Sequence, residues 1–98
     1  METRGWLLPS DAEMPVRPST LSAYLQANGG EVDFTTIDLL DFNLFVFFDN
    51  GATGKNSPLN ERAKDLVQFD VLGDLFFVAE DSEGVVALSK DRFLQCLL

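Results

Sequence analysis

Two five-residue apolar runs, Leu44–Phe48 and Leu75–Ala79, dominate the hydrophobic pattern of the chain. Neither alternates with polar positions, so each predicts a strand covered on both faces. Weaker signals surround them. The run 3–8 (TRGWLL) predicts a strand stopped by Pro9. Residues 9–18 contain Pro9, Pro15 and Pro18 and predict a loop, since proline lacks a donor and pushes the residue before it toward extended geometry. Ser19 or Thr20 then caps a helix with Leu21, Tyr24 and Leu25 on one stripe, closed by Asn28-Gly29-Gly30. In 31–37, Val32, Phe34 and Thr36 alternate with Asp33, Thr35 and Ile37, as in a half-exposed strand.

Further along, Asn60 is placed to cap a second helix over 60–69, with Ala63, Leu66 and Val67 as its apolar stripe. Glu80 to Gly84 reads as a hairpin loop and Val85 to Leu88 as the returning strand. Ser89 caps a third helix carrying Phe93, Leu94, Leu97 and Leu98. The predicted order is β-α-β-β-α-β-β-α. That is a small α+β domain spanning 1–98, with a mixed, mainly antiparallel sheet and about three short helices.

Length and composition narrow the chemistry. Ninety-eight residues form one domain and bury a modest fraction of their surface. No apolar run is long enough to cross a membrane, and 1–10 lacks the pattern of a secretory leader, so a cytoplasmic location in a host cell is expected. One cysteine, Cys96, excludes an internal disulfide, and the absence of histidine removes the commonest general base and zinc ligand. Without an activating histidine, Cys96 reads as a buried or idle thiol. The segment Asp49 to Asn56 sits between a strand and a helix, as a phosphate-binding loop does. However, Asp49 stands where that loop needs glycine, and Asn56 where it needs serine or threonine. Read instead as a calcium loop from Asp49, the chain puts Gly51 and Thr53 at the third and fifth positions, which need oxygen ligands, and Asn60 at the twelfth, which needs a bidentate glutamate, while Glu61 comes one place late. The loop 49–58 is therefore expected to be a solvent-exposed, mobile connection. The carboxylate pairs Asp33/Asp38 and Asp70/Asp74 read as surface charges. No enzyme activity, cofactor or metal is expected.

Charge adds a surface. Sixteen acids against seven bases give a net charge of −9. No Lys or Arg occurs between Arg17 and Lys55, or between Lys64 and Lys90, and eleven of the acids fall in those two stretches. Such a chain is a poor match for nucleic acid or an anionic membrane and a good one for a basic protein. Asp33, Glu80, Asp81 and Glu83 are the candidate partner-binding residues; plain solubility is the competing reading. Strands apolar on both faces, covered by three short helices, also predict homo-oligomerisation or a partner.

The stretch from Leu44 to Leu88 carries a further pattern. A strand reaches Asp49-Asn50-Gly51, then come a Pro58 loop, Asn60-x-x-Ala63, and Val71-Leu72-Gly73-Asp74 before an apolar strand. This resembles a family of small phage and plasmid proteins known only as a domain of unknown function, and the early strand and Gly29-Gly30 match its layout as well. The resemblance implies a mobile-element origin and brings no catalytic residue. The expected function is that of a non-enzymatic phage or mobile-element accessory protein that binds and inhibits a host defence protein. The alternative is a homo-oligomer that sequesters a nucleotide-like ligand, for which Arg17, Lys55, Arg62 and Lys64 are the available bases.

Overall fold

In the computed structural model, which describes residues 3–29, 32–49, 57–67 and 70–97, the two apolar runs lie side by side at the centre of one antiparallel sheet. The strands are β1 (Arg4–Leu8), β2 (Arg17–Thr20), β3 (Val32–Asp38), β4 (Asn43–Asp49), β5 (Leu75–Asp81) and β6 (Gly84–Val86). Their order is β2-β1-β5-β4-β3. One edge of β5 pairs with β4; the other is shared, with β1 over Leu75–Phe77 and β6 over Ala79–Asp81. The helices are α1 (Leu21–Ala27), α2 (Lys64–Val67) and α3 (Lys90–Cys96).

The α+β class and the mainly antiparallel sheet are as expected, but the element order differs from the predicted one in two places. The supposed loop ends in a strand, β2, so two strands precede the first helix. Pro18 is tolerated there because β2 lies at the sheet edge, where a missing N–H breaks no second ladder. The second helix, the last two residues of whose predicted span, 68–69, lie outside the described residues, begins as a 3-10 turn, Glu61–Ala63, that runs into α2. The cause is Asn60. Its side chain makes no capping bond; its amide instead donates to the carbonyls of Leu8 (3.1 Å) and Gly73 (3.0 Å), joining the end of β1 to the segment before β5. Asn60 is buried, and its Oδ1 has no partner among the described residues. The outer helices are capped as their sequences require: Thr20 Oγ1 accepts from the Ala23 N–H and Ser89 Oγ from the Arg92 N–H, each at 3.2 Å. Residues 50–56, the greater part of the expected mobile loop and Lys55 with it, lie outside the described residues. Among the described residues no helix is long and apolar enough to cross a membrane.

The helices divide over both faces of the sheet. On one face Leu8, Leu44, Val46, Leu75, Phe77 and Ala79 pack with Ala63 and Val67 of the middle turn and Phe93 of α3. On the other, Leu7, Phe76 and Val78 meet only Tyr24 among fully buried residues, with Leu21 beside it. Tyr24 stacks on Phe76 (5.7 Å) and donates its hydroxyl to the Asp74 carbonyl (2.6 Å). Burial, reinforced by the charges of Asp49 and Asp74, pushes its phenol well above the ordinary tyrosine range. The unfolded chain ionises its tyrosine near pH 10 while the folded one holds its proton. Tyr24 should therefore leave stability unaffected below that pH and lower it above, by up to about 1.4 kcal/mol per pH unit. Urea unfolding of wild type and Tyr24→Phe at a series of alkaline pH values checks this. The two curves should diverge in slope only above about pH 10, and parallel curves would refute it.

Candidate interaction surface

The register fixes which side chains share the face that carries α1. One cross-strand row runs Phe34, Phe47, Phe76; the next runs Thr36, Phe45, Val78; the third runs Asp38, Asn43, Glu80, Val85. The short helix α1 meets the first row through Tyr24 stacked on Phe76. From there an aromatic chain runs outward through Phe47 (6.0 Å from Phe76) to Phe34 (5.7 Å from Phe47), which also meets Phe45 edge-on at 5.9 Å. Burial falls along it: Phe76 is fully enclosed, Phe45 and Phe47 are half-buried, and Phe34 is 54% exposed. Val85, at the end of the acidic row, is 57% exposed, and Leu40 in the β3–β4 turn is wholly so. The sheet thus has an uncovered aromatic quarter bounded on one side by Asp38 and Glu80.

The four expected partner-binding residues do not form one cluster. Glu80 and Asp81 end β5 and Glu83 lies in the following turn, where its N–H donates to Asp81 Oδ1 (2.8 Å). Asp33 sits near the far end of β3, opposite Phe48, and accepts from the N–H of Phe34 (2.8 Å). The residue brought into line with Glu80 is Asp38, five positions on and about 17 Å away at strand spacing. Asp38 was visible as an acid in the sequence, but only the strand register assigns it to that row. Asp41 is paired with Arg92 (2.9 Å), whose guanidinium also lies over the Phe42 ring at 5.2 Å.

Three of the four candidate bases are described; Lys55 lies outside the described residues. Arg62 Nη1 donates to the carbonyls of Pro9 (3.3 Å), Asp11 (3.3 Å) and Met14 (2.6 Å), and so clamps the β1–β2 loop. Lys64 is exposed on α2, and Arg17 opens β2 in register with Leu7. A polar cleft of about 230 Å³ is lined by Ser10, Asn28, Asp49, Ser57 and Asp74, with Asp74 Oδ1 held by the Ser10 N–H (2.9 Å). Its described lining residues include two carboxylates and no base, an arrangement that disfavours phosphate.

Chemistry is equally sparse. Among the described residues no group of three His, Cys, Asp or Glu side chains could hold a metal ion. Burial pushes the Cys96 thiol up, against a smaller opposing effect of Arg92, and its S–H points to the Arg92 carbonyl (3.4 Å). That favours the thiol over the reactive thiolate. No family model, curated protein or solved structure matches the chain, so the functional reading rests on this surface itself.

Proposed function

We propose that the protein is a non-enzymatic binding protein of phage or mobile-element origin that docks on a basic host protein and inhibits it. The observation that carries this reading is the uncovered aromatic quarter of the sheet, centred on Phe34 and bordered by Asp38 and Glu80. Burying an exposed phenylalanine against a partner contributes roughly 1.5–3 kcal/mol at full coverage, enough to matter at an interface. The acids supply the rest of the recognition by steering a basic partner and accelerating encounter. The two contributions separate kinetically. With a captured host partner on a biosensor, Glu80→Lys, Asp81→Lys and Glu83→Lys combined should slow association and reproduce the effect of high salt, because steering fades as the Debye length shrinks. Phe34→Ser should leave association nearly unchanged and speed dissociation. If neither variant alters binding, the aromatic quarter and its acidic border are not the interface.

A further inference from the structure

The open quarter ends at an open edge. Among the described residues β3 pairs only with β4, so one side of a seven-residue strand without proline carries N–H and C=O groups that no second strand takes up. The opposite edge of the sheet is blunted: β2 has four residues and one is Pro18. On β3 the Phe34 N–H is held by the carboxylate of Asp33 at 2.8 Å. An N–H satisfied by its neighbour's side chain is one that the ladder to β4 does not need, which puts Phe34 in the set of backbone groups that alternate outward.

We infer that β3 accepts an added strand from the partner, and that this strand is an extended segment with basic residues opposite Asp33 and Asp38. The inference deepens the proposed function and rests on it. Charge selects the occupant. Asp33 and Asp38 bracket the strand, and the nearby Arg92 is already paired with Asp41. A second copy of this chain would instead bring four carboxylates to one seam and join two molecules of charge −9 each. A basic side chain that takes the Asp33 carboxylate releases the Phe34 N–H to the incoming backbone. Selection and pairing are thereby coupled in one step.

The register dictates the incoming sequence. Antiparallel to β3, a Lys or Arg faces Asp38, an apolar residue four positions later faces Phe34 and extends the row Phe34–Phe47–Phe76, and a second Lys or Arg follows at once against Asp33. Strand addition of this kind draws affinity from the main chain and specificity from alternate side chains.

A peptide containing Lys-Thr-Val-Thr-Phe-Lys tests the inference by nuclear magnetic resonance of the isotope-labelled full chain. Binding should shift the Phe34 and Thr36 amides and slow their hydrogen exchange. A scrambled peptide of equal composition should bind at least about tenfold more weakly. Asp33→Lys with Asp38→Lys should reject the basic peptide and accept one in which both lysines are glutamate. Three results would overturn the inference: no preference over the scrambled peptide, shifts confined to Phe45 and Val85 with β3 exchange unchanged, or a free chain already dimeric with its β3 amides protected. If the β3 pairing fails while Phe34→Ser still speeds release of the host partner, the proposed function stands and only strand addition falls. If both fail, the surface itself is wrong.

Discussion

Phe93→Ala is expected to lower the unfolding free energy by about 3–5 kcal/mol, a large share of the roughly 5–15 kcal/mol available to a domain. Phe93 is the fully buried residue of α3, lying at 4.9 Å from the Phe77 ring and stacked at 6.3 Å on Trp6 with planes 10° apart. A seven-residue helix is far below the length that is stable alone, so α3 exists because that ring is docked. Removing the ring leaves a cavity and also frees the helix whose Phe93 shares the core cluster with Leu8, Val46 and Leu75. The single Trp6 reports the event, since it touches Phe93 and donates its indole N–H to the Leu88 carbonyl at 2.7 Å. Urea unfolding followed by Trp6 fluorescence should show the midpoint falling steeply. A loss below about 1 kcal/mol would mean that α3 is not packed on the sheet as described.

The parts of this fold that were legible in the sequence are those whose cause is local. The apolar runs of β4 and β5 announced strands because nothing within them could face water, and Thr20 and Ser89 announced helix starts because their hydroxyls satisfy N–H groups three residues away. Gly84, at φ 118°, likewise fits the turn into β6 that its sequence position suggested. What escaped depends on contacts between distant segments. Asn60 reads as a helix cap, but its amide is drawn to Leu8, 52 residues away, and the segment it would have capped opens as a 3-10 turn. Pro18 reads as a loop residue until its strand is known to lie at an edge. The candidate surface shows the same limit. Acidity was plain, yet the alignment of Asp38 with Glu80, and the separation of Asp33 from both, follow only from the β3–β4–β5 register. Phe34 alternates like a buried strand residue and emerges exposed because α1 is too short to reach it.

Gly5→Ala is expected to destabilise the protein by about 3 kcal/mol or more, the upper end of what overpacking costs. A Cβ at Gly5 would overlap the carbonyl oxygen of Phe77 and come within 2.9 Å of the Phe76 ring. The obstacle is backbone, so no rotamer change relieves it. Relief requires β1 to move away from β5, which pulls at the Trp6–Phe77, Leu7–Phe76 and Leu8–Leu75 pairs and draws the Trp6 indole from the Leu88 carbonyl. Gly29→Ala is the matched control. Gly29 sits just past the end of α1 at φ 66°, with open space around its would-be Cβ, so it tests conformational strain without collision. Its cost should be only about 1–2 kcal/mol, that of a left-handed backbone on an L-residue. Thermal unfolding of the two variants separates the mechanisms: Gly5→Ala should fall well below Gly29→Ala in midpoint and lose the Trp6 environment. If Gly5→Ala proves as stable as wild type, β1 does not approach the Phe77 carbonyl this closely, and the placement of β1 against β5 is wrong.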